Sequence, residues 1–158
     1  MSDKIKVISA FDGHCVLNDI GLHISRHWEG RGDSVVFTKE QIEELQFNTA
    51  FMNMVREGIL YIEDMEVKKE IGIEPEEAEE PTLLLMNEKA LQRFWKNMPL
   101  SQFKIEVKKL TKVQLNLLAD YAITHGNDGS IEKATYLTTV TGRNILKGIE
   151  LERLSREG

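Results

Sequence analysis

The segment from Thr111 to Leu151 reads TKVQLNLLADYAITHGNDGSIEKATYLTTVTGRNILKGIEL and carries the clearest structural signals in the chain. Thr111 and Gln114 have the spacing of a capping box, in which each side chain accepts a hydrogen bond from the other residue's backbone N–H. Gly126 is predicted to end the helix in a left-handed conformation. Between the two ends lies an apolar stripe at helical spacing, formed by Leu115, Leu118, Ala119, Ala122 and Ile123.

Two further short helices are predicted in the same segment. Ser130 caps the first, Gly142 ends it, and Asn144 caps the second. Helices of this length are marginal in water, so they must pack on one another or on a partner. The residues predicted to face inward are Ile131, Ala134, Leu137 and Val140 on the first helix, and Ile145, Leu146 and Ile149 on the second.

Upstream of this segment, the sequence predicts a mixture of helix and strand. Residues 83–86, LLLM, form either a strand or the apolar entry to a helix that Asn87 caps and Pro99 stops. Residues 101–110, SQFKIEVKKL, alternate apolar and charged side chains, which predicts a strand. Together with the three helices, these elements make a compact helical domain over residues 82–158.

The first 64 residues predict a small β-rich module with one broken helix. Short β-branched and apolar pieces at 4–9, 15–17, 22–24 and 35–37 are separated by Gly, Asp and Asn. A capping box at Thr38 and Gln41 begins a helix, which Asn48 and Thr49 are predicted to interrupt by recapping and which Gly58 ends. The closing segment ILYI, 59–62, is predicted as a strand. The fold class is therefore α+β.

Residues 65–81 join these two parts and are predicted to be an acidic linker or exposed loop. The stretch IEPEEAEEP, 73–81, holds five glutamates and two prolines, so its carboxylates repel one another and its backbone is restricted. Counting Lys and Arg against Asp and Glu gives 6 and 11 over 1–64, 2 and 7 over 65–81, and 12 and 8 over 82–158. The net charges are −5, −5 and +4, so the two halves suit different partners or each other.

The composition places the chain among soluble globular proteins. Apolar residues make up 41% and charged residues 29%, and no apolar run has the length of a membrane span. The N-terminus MSDKIKV lacks the apolar core of a secretory signal, which indicates a cytoplasmic protein. One cysteine, Cys15, excludes an internal disulfide.

Candidate catalytic and metal-binding residues are few. His23 and His27 have the i, i+4 spacing of a zinc-binding helix, but the glycines around them predict strands and loops. His14 and Cys15 are adjacent and would point to opposite faces of a strand, so Cys15 is predicted to be a buried structural thiol. The Arg-Gly-Asp tripeptide at 31–33 is predicted to be a turn. We expect no enzymatic activity, no metal and no cofactor.

A basic cluster precedes and accompanies the Thr111 helix. The pattern L-x-x-L-A-x-x-A-I, 115–123, followed by E-K-A-x-x-L, 132–137, resembles helix-extension-helix modules of nucleic-acid-binding proteins. The resemblance implies a nucleic-acid-binding or regulatory adaptor as an alternative function. Its phosphate contacts would be Lys108, Lys109, Lys112 and Lys133.

The layout of the whole chain carries a second resemblance, on Thr38 to Ile62 and the order of the domains. It is similar to the accessory structural proteins of tailed-phage particles, such as capsid-decorating, connector or tail components. This resemblance implies a virion protein, assembled in the host cytoplasm, that docks on other virion proteins or on copies of itself and not on a membrane. Large aromatic residues and methionine dominate packed interfaces, so the predicted core or contact residues are Phe47, Phe51, Met54, Phe94 and Trp95.

Overall fold

The computed structural model describes residues 4–157, which divide into two compact units between Asn87 and Glu88. The first unit carries all the strands of the described chain, and the second is helical. This confirms the predicted α+β class, with a small β module first and helices after it. The outermost residues of the predicted domains, 1–3 and 158, lie outside the described part.

The first unit is built on two small antiparallel sheets. In the larger one, β1 (Lys4–Ser9) lies between β4 (Ser34–Thr38) and β5 (Leu60–Ile62). In the smaller one, β2 (Cys15–Asp19) pairs with β3 (Ile24–Trp28), which begins later than the strand predicted at 22–24.

Alternation along β1 explains which face of the larger sheet is buried. Ile5 and Val7 are buried, and they pair in register with Phe37 of β4 and Ile62 of β5, respectively. The indole N–H of Trp28 donates to the Val7 carbonyl at 3.0 Å, so the large buried ring leaves no polar atom unsatisfied. The two sheets thus share one hydrophobic core.

The broken helix of the first unit forms as predicted. α1 (Lys39–Leu45) begins at the Thr38 capping box, and α2 (Thr49–Glu57) begins where the Asn48 side chain accepts from the Phe51 N–H at 3.0 Å. Gly58 ends α2 with φ 86°, a conformation that costs glycine little. The chain therefore turns at Phe47 and Asn48.

A third helix lies inside the range predicted to be linker. α3 (Met65–Glu70) begins at Asp64, whose side chain accepts from the Val67 N–H at 3.0 Å. Its Val67 and Lys68 are buried. Only the later part of residues 65–81, with its exposed glutamates, has the character of an acidic loop.

The acidic loop is closed at its base by the buried carboxylate of Glu74. Both oxygens accept from the Thr82 N–H at 3.0 Å, and one accepts from the Leu83 N–H at 3.1 Å. Lys68 Nζ lies 4.0 Å from the carboxylate. Burial alone would raise the pKa of Glu74, but the hydrogen bonds from Thr82 and Leu83 and the charge of Lys68 outweigh burial and hold the pKa below the usual value of a glutamate.

The second unit is a set of short helices. α4 (Glu88–Gln92) continues into a π-helical turn, Arg93–Asn97, and α5 (Leu100–Val107) follows Pro99. α6 (Lys112–Thr124), α7 (Ile131–Thr141) and α8 (Ile145–Glu157) pack on one another. Their predicted ends are confirmed at the Thr111 capping box, at Ser130, at Gly142 with φ 76°, and at Asn144, which accepts from the Lys147 N–H at 3.0 Å.

The strand predicted at 101–110 is wrong, because this segment contains α5. Phe103 and Val107 lie one helical turn apart and are both buried, whereas Ile105 is 60% exposed. Phe103 and Val107 are four residues apart, which fits both the two-residue repeat of a strand and one turn of a helix, so the pattern did not distinguish the two. Packing of both side chains on one side favours the helix. Residues 83–86 do not form a strand; they are irregular and lead into α4, which agrees with the alternative prediction of an apolar entry to a helix.

Gly126 does not have the predicted left-handed conformation. It begins a single 3₁₀ turn, Gly126–Asp128, and its φ is not positive. A Cβ at this position would collide with Cγ2 of Ile149 on α8. The glycine therefore allows close approach of α8, which is a packing role that the turn-like sequence HGNDG did not reveal.

The Glu74→Gln substitution should destabilise the first unit by about 3 kcal/mol, because it leaves the buried Lys68 ammonium without a charged partner. Since the pKa of Glu74 is lowered on folding, its stabilisation is full above about pH 4.5 and is lost as the pH falls through the folded pKa. Urea unfolding at pH 7 and pH 3, with hydrogen exchange of residues 60–86, measures both effects. Glu76→Gln, in the exposed loop, is the control and should unfold as the natural chain does.

Candidate interaction surfaces

The five residues predicted as core or contact residues separate into two groups. Phe51, Phe94 and Trp95 are fully buried, and Met54 is partly buried against the core of the first unit. Phe47 is 79% exposed. Phe47 is therefore the member of this set that is available to a partner.

Among the described residues of the first unit, Phe47 and Ile20 are the two most exposed large apolar side chains, and we term this pair the apolar corner. Ile20 is 89% exposed and follows Asp19 at the end of β2. The Asn48 amide donates a hydrogen bond to Asp19 Oδ2 at 3.0 Å. Ile20 follows Asp19 and Phe47 precedes Asn48, so each apolar residue is next in sequence to one partner of this hydrogen bond. The pKa of Asp19 is lowered by this bond from Asn48 and by the Leu22 N–H, which keeps the carboxylate ionised.

The apolar corner is bordered by carboxylates. Glu43 and Glu44 of α1 are exposed and lie four and three residues before Phe47. The chain continues in a helical turn beyond α1, since the Phe47 N–H donates to the Glu44 carbonyl at 3.2 Å. This spacing places both carboxylates on the same side of the chain as Phe47.

The outer side of α8 carries a second exposed apolar surface, which we term the leucine face. Leu146, Leu151 and Leu154 are 42%, 57% and 50% exposed, whereas Ile145 is buried. The prediction that Leu146 faces inward is wrong, as are those for Ile131 and Val140 of α7, which are exposed. At 100° per residue the three leucines span about 140° of the helix surface, on the side away from Ile145.

The charges along the leucine face are mixed. Lys147, Glu150 and Arg153 are exposed, and within residues 4–157 their side chains form no ion pair. Arg156 lies elsewhere on the helix, where it pairs with Glu152 at 3.4 Å and donates to the Thr124 carbonyl at 2.5 Å. Two cations of α8 thus remain available to a partner.

The four lysines predicted to contact phosphate are not equivalent. Lys108, Lys109 and Lys112 are exposed around the turn between α5 and α6, and Lys109 pairs with Glu106 at 3.4 Å. Lys133 is buried and its Nζ donates to the carbonyls of Phe94 and Trp95 at 2.8 and 2.9 Å. The prediction that Lys133 contacts phosphate is therefore wrong.

Lys133 instead holds α7 to the π-helical turn at Arg93–Asn97. A π-helical turn shifts the backbone hydrogen-bond pattern, so carbonyl oxygens near it need other donors. The ammonium supplies these hydrogen bonds and also lies 5.1 Å from the centre of the Phe103 ring. Burial lowers the pKa of Lys133. Sequence spacing alone does not distinguish this lysine from its exposed neighbours.

The residues considered for catalysis and metal binding lie in structural positions. Cys15 is buried with its Sγ 3.4 Å from Met54 Sδ, and burial raises the pKa of the thiol, as expected for a structural cysteine. His14 and His27 both contact Glu29, at 3.0 and 2.8 Å. Within residues 4–157, no three His, Cys, Asp or Glu side chains are grouped closely enough to hold a metal ion.

The Arg-Gly-Asp tripeptide forms the predicted turn. Gly32 has φ 92° and its N–H donates to the Ser9 carbonyl at 2.8 Å. The Arg31 side chain donates to the Ala10 carbonyl at 3.0 Å, and the Asp33 carboxylate accepts from the Glu29 N–H at 2.8 Å. All three residues are thus occupied in connecting β3 to β4.

A cleft of about 430 Å³ lies in the second unit beside the 3₁₀ turn. Arg153 and Arg156 line it together with Asp128 and Glu157, so its charges balance. His125 stacks on Tyr121 with 4.0 Å between ring centres, and its Nδ1 lies 3.0 Å from the Tyr121 carbonyl. These interactions orient the imidazole within its own helix end rather than toward a reacting group.

No helix in the described chain is long and apolar enough to span a membrane. No protein-family model, curated protein or solved structure matches this chain. Phe47 was predicted as a core or contact residue, whereas Ile20 was missed because it stands alone in a turn. The exposure of the α8 leucines was missed because their spacing resembles that of an ordinary buried stripe.

The Lys133→Met substitution should destabilise the second unit by about 2 kcal/mol, because two buried carbonyls lose their donor. Lys108→Met is the matched control, since replacing an exposed lysine of the same unit should change stability by less than about 0.5 kcal/mol. Urea denaturation of the two variants provides the comparison. Equal stabilities would contradict the structural role assigned to Lys133.

Proposed function

We propose that this protein is a non-enzymatic structural or assembly protein of a virus particle, and that it acts by docking and self-association. The observation that carries the proposal is the pair of exposed apolar surfaces, the apolar corner on the first unit and the leucine face on the second. Single exposed hydrophobic residues are ordinary, but residues grouped this way are typical of interaction sites.

The energetic argument rests on what a partner would cover. Full burial of a Phe, Ile or Leu side chain contributes roughly 1.5–3 kcal/mol. Ile20 and Phe47 are almost fully exposed, so nearly all of this gain is available on docking. Aromatic side chains in such positions are frequent hot spots of interfaces.

The proposed setting is a tailed-phage particle, assembled in the host cytoplasm from other virion proteins or copies of this chain. It is supported by the order of a small β module, an acidic segment and a helical end, which is similar to accessory capsid, connector and tail components. In such particles a surface is used repeatedly under the symmetry of the assembly. A small chain with two separate docking surfaces suits that role.

The Phe47→Glu variant should be incorporated into particles at least about tenfold less than the natural chain, since a charge cannot enter an apolar contact at low cost. Particles produced from the encoding genome, supplied with either chain, are purified by gradient sedimentation and the bound protein is quantified. Val16→Glu, on an exposed strand position, is the control and should be incorporated normally. Particles that lack the natural chain altogether would remove the proposal.

A nucleic-acid-binding adaptor is the second candidate function, and the exposed positions of Lys108, Lys109 and Lys112 favour it. With three phosphate contacts, the logarithm of the affinity for duplex DNA should fall with the logarithm of salt concentration with a slope no steeper than about −2.7. Lys112→Gln should reduce that slope by about 0.9, and Lys133→Met should not change it. Gel-shift titrations between 50 and 200 mM salt test this prediction. An affinity that does not change with salt concentration would exclude the nucleic-acid-binding function.

A further inference from the structure

The environment of the apolar corner argues against contact with a second apolar corner. Asp19, Glu43 and Glu44 border it, and all three would face their own copies across such a contact. Like charges brought together at an interface cost several kcal/mol. The whole unit is also acidic: up to Asn87 the sequence has 8 Lys and Arg against 18 Asp and Glu, a net charge of −10.

The second unit has the opposite charge. From Glu88 onward the sequence has 12 Lys and Arg against 8 Asp and Glu, a net charge of +4. Its exposed apolar surface, the leucine face, is bordered by Lys147 and Arg153, which form no ion pair within residues 4–157, and it also carries the exposed carboxylate of Glu150 between Leu146 and Leu154. An exposed apolar surface on a unit of opposite net charge is therefore present on the same chain.

We propose that the apolar corner of one copy docks on the leucine face of a second copy, in a head-to-tail contact. The proposal rests on the proposed function and names the partner of its docking surfaces. Phe47 and Ile20 pack among Leu146, Leu151 and Leu154, while Glu43 and Glu44 approach Lys147 and Arg153. The apolar contact supplies affinity, and the charges at its rim select the orientation and increase the rate of association.

The leucine face is long enough to contact more than one side chain of a partner. Leu146 and Leu154 are eight residues apart, which at 1.5 Å per residue is about 12 Å along α8. A helix presenting apolar residues to a complementary apolar surface is a common mode of recognition.

A head-to-tail contact leaves one unused surface at each end of every pair. Each copy added offers the same surface again, so the assembly grows until rotation closes it into a ring, or continues as an open filament. A contact between identical surfaces would instead stop at a dimer. The number of copies therefore distinguishes the two arrangements.

The test uses two variants of the full chain, Phe47→Glu and Leu154→Glu, studied by sedimentation velocity separately and as an equimolar mixture. The natural chain should form oligomers larger than a dimer, and each variant alone should be a monomer, with self-association weakened at least about 30-fold. The mixture should form a 1:1 heterodimer and nothing larger, because each variant retains the surface that the other has lost. Circular dichroism confirms that both variants remain folded.

Two control variants replace other exposed apolar residues with glutamate: Val16→Glu on the first unit and Ile105→Glu on the second. Both should associate as the natural chain does. A mixture in which the two docking variants stay monomeric would overturn the proposal. Dimers formed by either docking variant alone would also overturn it, since they require a contact between identical surfaces.

The outcomes also separate this inference from the proposed function. A natural chain that remains monomeric at high concentration, yet is incorporated into particles through Phe47, docks on a different virion protein and overturns only the head-to-tail contact. A chain that associates head to tail but is absent from particles supports the contact and removes the virion role.

Discussion

The side-chain amide of Asn48 connects three parts of the first unit. Its oxygen accepts from the Phe51 N–H and begins α2, and its nitrogen donates to Asp19 at the end of β2. The other oxygen of Asp19 accepts from the Leu22 N–H and shapes the β2–β3 turn. One polar contact thus sets the break between the helices, the turn of the hairpin and the position of Ile20 and Phe47. Ile20 and Phe47 are both exposed because each lies where the chain turns.

Local signals in the sequence predicted much of the fold. The capping residues Thr38, Asn48, Thr111 and Ser130 and the terminating glycines Gly58 and Gly142 act through bonds to their immediate neighbours, so their roles can be inferred from a few residues. The failures depended on distant contacts. Residues 101–110 became helical because two of their apolar side chains pack on one side, and Gly126 is required by Ile149, which lies 23 positions later.

The candidate surfaces were harder to predict for the same reason. Lys133 and Lys108 look alike in sequence, and only the π-helical turn at Arg93–Asn97 explains why one is buried. Lys68 and Glu74 likewise belong to an apparently solvated acidic segment, yet both side chains are enclosed. Some charged residues that were predicted to be on the surface are thus buried and hold the structure together. An apparent stripe on α8 was partly surface, because a 13-residue helix needs only one side to pack on α6 and α7.

The strands at the edges of the larger sheet have a further consequence for assembly. β5 has three residues and β4 has five, and β1 is paired on both sides. Short edge strands offer few free backbone groups, so they are poor templates for addition of a strand from another molecule. In the self-association that we propose, contacts at the larger sheet would therefore be made by side chains and not by strand addition. In the particle assembly that we propose, wrong contacts could then be corrected by dissociation, whereas strand addition would trap them.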